Sequence, residues 1–208
     1  MTFFNSIIAQ HIMAFHDAAN HGASPAHPIS NNEPHEITVW QWIANNHKNN
    51  ADLWAEEDLA RRTTVSSDDI ATNKRRIDGF NQARNDATER VDEEVLVQLA
   101  QRQINTTTAR LHSETAGAMI DRMSIMSLKI KAMTAQTMRT DVDDAHINTC
   151  KAKLAALIEQ RHDLGACLDE LLADAQAGRA YYKIYRQFKM YNDKTLNPEL
   201  VKETVKTR

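Results

Sequence analysis

From Ser66 to Asn197 the chain contains no proline, and all 208 residues hold only 5 Gly and 4 Pro, where average usage gives roughly 15 and 10. Hairpin-rich β architectures need more turn residues than this, so the expected class is all-α. Hydrophobic residues at 42% with 25% charged describe a globular chain that can bury a core. The residues 1–208 are read as one helical domain, because three of the prolines (Pro25, Pro28, Pro34) fall in a single stretch, 22–35, that forms the one clear loop.

Hydrophobic spacing places the elements. Phe4, Ile8, Ile12, Phe15 and Ala19 form one stripe of an N-terminal amphipathic helix that Gly22 can end. A second helix runs from about Glu36 through Trp40, Ile43, His47, Trp54 and Arg61. Ser66 and Asp69 have capping-box spacing for a third, about 67–104, which the polar run Asn105 to Thr108 breaks. The fourth, about 115–136, carries Met119, Met123, Met126 and Ile130 on one face. The fifth runs from about Asp141 to Ala177 and closes at Gly178. An aromatic segment from Tyr181 to Tyr191 follows, and Asn197 before Pro198 reads as the cap of a short terminal helix. Shifting the sequence by 77 aligns Ile70, Lys74, Arg84 and Asp86 with Ile147, Lys151, Arg161 and Asp163. The expected architecture is thus an antiparallel bundle of two long helical hairpins, related by an internal repeat if the alignment reflects duplication. The N-terminal helix and the aromatic tail would pack outside it.

Several function classes lose support. The formal net charge is -3, and without a basic face the chain lacks the footprint of a nucleic-acid binder. Cys150 and Cys167 have no paired spacing and are expected to be small buried apolar residues. No apolar run reaches the roughly 18 residues of a membrane span, and Met1 to Phe15 lacks the basic region of a signal peptide. Cytoplasmic location is the expectation. His11, His16, His21 and His27 recur at five- and six-residue steps, which diverge around a helix, so they read as surface or capping residues rather than metal ligands.

The unusual feature is polar. On the second helix His47, Asn50, Trp54, Glu57 or Asp58, and Arg61 share a face; on the third, Lys74, Asp78, Asn81, Gln82, Asn85 and Glu89 do so; on the fourth, Asp121, Arg122, Ser124 and Lys129 crowd together. If these faces meet, the bundle holds a polar network whose groups must find partners. Such a network either fixes helix register or binds an anionic ligand, with Arg61, Arg84 and Arg122 toward phosphate or carboxylate and nearby acids toward a divalent metal. No metal motif is complete. All-α nucleotide pyrophosphatases use E-x-x-E and E-x-x-D pairs, of which only Glu89 and Asp92 supply a half. Glu159 with His162 is a single E-x-x-H where di-iron bundles use two.

Three blocks carry a resemblance: Leu53 to Arg61; Lys74 to Asp78 with Asn81 to Asp86; and Ser113 to Gly117 leading through Ile120-Asp121-Arg122-Met123-Ser124 to Lys129. With the tail Tyr185 to Asp193, they resemble the bacterial family called domain of unknown function 4254, over about residues 40–200. One departure is Ala116, where the family has proline. The resemblance implies a helical protein often encoded near glycosyltransferases of envelope-polysaccharide synthesis, and no established reaction.

The leading functional expectation is an accessory protein or enzyme of that metabolism binding a phosphorylated or nucleotide-sugar ligand. Arg61, Lys74, Arg84 and Arg122 would hold the anion, with Glu57, Asp58, Asp78 and Asp121 orienting them or a metal, and Glu114 beside them. The rival is a non-catalytic adaptor or homo-oligomer docking a partner through exposed Trp40, Trp42 or the Tyr181 to Tyr191 surface. A metal-dependent pyrophosphatase-like enzyme is the third reading.

Overall fold

Helices start where side chains can cap them. In a computed structural model that describes residues 3–23, 34–186, 190 and 193–206, the elements are α1 (Phe3–Ser6), α2 (Ala9–Asn20), α3 (Pro34–Leu59), α4 (Ser67–Ala100), β1 (Arg110–Leu111), α5 (Ala116–Thr137), α6 (Asp144–Gln176), β2 (Ala180–Tyr181) and α7 (Pro198–Lys206). Most of the 22–35 loop, with Pro25, Pro28 and His27, lies outside the described residues, as do Phe188 and Tyr191. Pro34 is the first residue of α3, where its missing N–H costs nothing.

The Ser66 capping box forms in full: its hydroxyl accepts from the Asp69 N–H at 3.2 Å, and the Asp69 carboxylate accepts from the Ser66 N–H at 3.2 Å. Thr115 caps α5, Asp143 caps α6, and Asn197 accepts from the Glu199 N–H at 2.9 Å ahead of α7. Gly178, at φ 70°, closes α6 with the left-handed backbone that glycine adopts without strain. The 77-residue shift also carries the Ser66 cap onto the Asp143 cap, so the aligned side chains sit at matching depths of α4 and α6.

The α3–α4 and α5–α6 pairs form the two expected hairpins, joined through α4, α5 and α3. Beyond the helices, β1 and β2 form one short parallel pairing, Arg110 opposite Ala180 and Leu111 opposite Tyr181. It ties the linker after α4 to the segment after α6. Trp40, Ile43, Val91, Val95, Met119, Ile120, Met123 and Leu168 form the core, all but inaccessible to solvent. No helix among the described residues is long and apolar enough to cross a membrane.

Three expectations change. The N-terminal segment does not sit outside: Phe4, Ile7, Ile12 and Phe15 belong to the core cluster, because their stripe faces α5, α6 and α3 at once. Trp40 is fully buried against Phe15, 5.5 Å between ring centroids, and offers no docking surface. Cys150 is buried, but Cys167 is exposed, one position off the inward Leu168 of α6.

Candidate ligand site

The centre of the bundle is polar, and its focus is Asp121 on α5. Arg84 of α4 donates Nε to Asp121 Oδ1 at 2.8 Å and Nη2 to Oδ2 at 2.5 Å. The same Oδ1 accepts Asn46 Nδ2 at 2.8 Å and Asn50 Nδ2 at 2.9 Å from α3. Asn46 also donates to Thr88 Oγ1 at 3.1 Å, and Asn50 to Ser124 Oγ at 3.1 Å. Four donors on one carboxylate offset the cost of its burial. The Arg84 guanidinium is held above its ordinary value by the hydrogen bond to Asp121, against the desolvation of its site.

The network continues to histidine. His47 Nδ1 lies 2.8 Å from Ser124 Oγ, and the His47 ring stacks on His16 with centroids 4.7 Å apart. Burial lowers His47 to about 4, the Asp17 charge opposing this and Lys131 adding to it. His16 is driven well below its ordinary value by complete burial, then by His47 and Arg161. Both rings are therefore neutral near pH 7. Ser124 Oγ thus meets Asn50 Nδ2 and His47 Nδ1 together, which ties α3 to α5 through one hydroxyl. Neither His16 nitrogen has a hydrogen-bond partner among the described residues. Sequence spacing placed His16 with surface or capping residues. His11 and His21 do bond backbone carbonyls, of Ser6 and Asp17, but His16 lies on the inward face with Ile12 and is buried.

Ser124, His47 and Asp121 are not a nucleophilic triad. Ser124 is fully buried, and Asp121 contacts asparagines and Arg84 rather than the imidazole.

Two clefts flank this network and share Trp54 and Leu128 as walls. The smaller, about 270 Å³, brings together Asn50, Trp54, Glu57, Asp58, Arg61 and Arg84, six of the residues selected from sequence. Arg61 Nη1 reaches Glu57 Oε2 at 2.7 Å across its rim. The larger, about 780 Å³, lies among α2, α3 and α5, and takes in His47, Lys48, Trp54 and Lys131 with a wall of alanines.

The other selected residues lie elsewhere. Lys74 pairs with Asp78 on the exposed face of α4, and Gln82 donates to Asp86 at 2.7 Å there. Asn81 Oδ1 receives Arg84 Nη1 at 3.4 Å. Arg122 Nη1 meets Glu114 Oε1 at 2.5 Å, both partly exposed. Asn85 and Glu114 line a hollow of about 220 Å³ at the start of α5, and Lys129 lies with Trp54 in a groove between α5 and α6.

Asn46, Lys48 and Lys131 carry no local signal in the sequence, because their roles depend on which helix packs opposite. The same holds for Glu56, whose carboxylate accepts Asn73 Nδ2 at 2.5 Å and Arg76 Nη1 at 3.1 Å and is held below its ordinary value chiefly by Asn73. The acids of the pyrophosphatase reading are engaged: Glu89 pairs with Arg186 at 3.0 Å, and Asp92 accepts the Gly117 N–H at 2.7 Å. Burial pushes Asp92 up to about 7, with Thr115 and Gly117 hydrogen bonds opposing and the Glu89 and Glu93 charges adding. Glu159 and His162 are exposed on α6. Among the described residues no three His, Cys, Asp or Glu side chains converge as a metal-ligand set.

The family described as "Protein of unknown function (DUF4254)" matches residues 40–184. No curated protein and no solved structure matches the chain.

Proposed function

This chain belongs to the DUF4254 family of proteins of unknown function, so its role has to be argued from its own side chains, and we propose that it binds a phosphorylated or nucleotide-sugar small molecule between its bundle helices. In this reading it is a cytoplasmic accessory protein or enzyme of envelope-polysaccharide synthesis, the setting that the family resemblance implies. One observation carries the ligand: Asn50, Trp54, Glu57 and Asp58 of α3, Arg61 of the turn after it and Arg84 of α4 line a single cleft, beside the hydrogen bonds that Asn50 and Arg84 make to Asp121. Binding sites are built this way, with a few fixed polar groups and an aromatic face in a concavity. Loss of Trp40 as an exposed anchor leaves the adaptor reading with less to stand on.

The test is a thermal-shift screen of nucleotide sugars and sugar phosphates, with and without Mg²⁺ or Mn²⁺, repeated on Trp54→Ala. Reproducible stabilisation of the wild type that Trp54→Ala loses is the expected result. Silence across the screen overturns the proposal and returns the adaptor.

A further inference from the structure

The two clefts on either side of Trp54 differ in charge. Among the described residues the larger one is lined by Lys48 and Lys131 and by no acid. His47, neutral, stands at its edge with Nδ1 engaged by Ser124. The smaller one is balanced: Glu57 and Asp58 face Arg61 and Arg84, and both arginines are already matched, Arg61 by Glu57 and Arg84 by Asp121. A ligand anion placed there would have to displace an existing carboxylate. In the larger cleft it would meet two ammonium groups with no acid among the described lining residues: among those described, Lys131 Nζ holds only the Asn20 carbonyl, at 2.6 Å, and the Asp52 that pairs with Lys48 lies outside the lining.

Volumes divide the clefts in the same sense. Whole small-molecule sites run to roughly 300–1,000 Å³. The larger cleft, about 780 Å³, falls in that range, and the smaller, about 270 Å³, suits only part of a ligand. Carboxylates, an asparagine amide and arginines beside an indole face suit a neutral polyhydroxylated ring: the polar groups bond its hydroxyls and the indole covers its C–H face.

We propose that the ligand is a nucleoside diphosphate sugar lying across Trp54, with its diphosphate in the large cleft beside Lys48 and Lys131 and its sugar in the small cleft against Glu57, Asp58 and Asn50. This rests on the proposed ligand-binding function and moves the anion-holding role away from Arg61 and Arg84. Lys48 and Lys131 are then the residues that bind the charge common to every such ligand, and Glu57 and Asp58 those that distinguish one sugar from another.

The experiment is isothermal titration with free UDP, GDP and TDP and with their glucose or mannose conjugates. The proteins are the wild type, Lys48→Gln, Lys131→Gln, and Glu57→Gln with Asp58→Asn. Lys48 is exposed and paired only within its own helix, so its variant keeps the fold, which melting curves verify for all four proteins. The lysine variants are expected to weaken every bound probe, free or conjugated, by about tenfold. The acid variant is expected to weaken only the conjugates. If the lysine variants leave the bound probes unchanged, or the acid variant weakens free diphosphate equally, the orientation is overturned and the ligand-binding function stands. If no probe binds the wild type, the nucleoside diphosphate sugar is overturned, and the sugar-phosphate arm of the thermal-shift screen decides the ligand-binding function separately.

Discussion

Asp121 receives Arg84 from α4 through two parallel hydrogen bonds while its Oδ1 also receives Asn46 and Asn50 from α3, so one carboxylate joins three helices. Replacing it by alanine leaves a partly buried guanidinium and two buried amides without their acceptor. Asp121→Ala is expected to cost on the order of 3 kcal/mol of stability. Asp121→Asn, which keeps one acceptor oxygen but not the charge, should cost less. Urea unfolding of the two variants checks the order, and equal losses would show that the charge of Asp121 contributes nothing.

Acid should act through His47. Its folded value is about 4 against an ordinary 6.5, so between those values the unfolded chain binds more protons. The stabilisation is whole above about 6.5 and is lost as pH falls toward 4, on the order of 3 kcal/mol from this residue. His47→Gln, whose amide can still meet Ser124, should flatten the fall. Melting temperatures from pH 7.5 to 4.5 for both proteins give the comparison, and parallel curves would exclude His47 as the cause.

Asp92 works in the opposite direction. Its folded value of about 7 lies above the ordinary 3.8, so the folded chain binds more protons in between, and stability is lost as pH rises through 7. Asp92→Asn keeps an oxygen for the Gly117 N–H and cannot ionise. Its stability relative to wild type should improve by more than about 1 kcal/mol between pH 5 and pH 8. A constant difference across that range would count against the raised value.

Two glycines within helices should respond with opposite signs. A Cβ at Gly79 meets nothing within 4 Å, so Gly79→Ala should stabilise α4 by roughly 0.5–1 kcal/mol through helix propensity. A Cβ at Gly117 would fall 2.4 Å from the Thr88 carbonyl oxygen and 3.0 Å from the Asp92 carboxyl. Gly117→Ala should therefore destabilise by about 1–3 kcal/mol despite the same propensity gain. Thermal unfolding of the pair decides it; a stable Gly117→Ala would mean that α4 and α5 can separate freely.

The helical frame was legible because its signals are local. Ser66, Asn197 and Gly178 act on their own helix ends and stand where spacing put them. Polar faces on α3 and α5 were legible too, since Asn50, Asp121 and Ser124 occupy positions where apolar residues would be expected. What could not be read was which faces meet. His16, Lys48 and Lys131 acquire meaning only when α2 packs between α3 and α5, a relation between residues far apart in the chain that periodicity does not encode. Lys74, Asp78 and Gln82 repeat as regularly as the cleft residues, yet they form pairs on the open side of α4.

The attachment of α2 has a consequence for how the chain is made. Ile8 gives α2 no side-chain cap; instead Asp169 of α6 accepts the Ala9 N–H at 2.8 Å, and eight residues along each helix in antiparallel register Arg161 grips Asp17 at 2.6 Å and 3.1 Å. A helix this short is marginal by itself in water. The α6 partners of Ala9 and Asp17 lie 160 and 144 residues further along the chain, so during synthesis these two ties close long after α2 has emerged. Until α3 and α5 are out, Phe4, Ile12 and Phe15 lack the core they enter, and until residue 169 follows, α2 lacks its ties to α6.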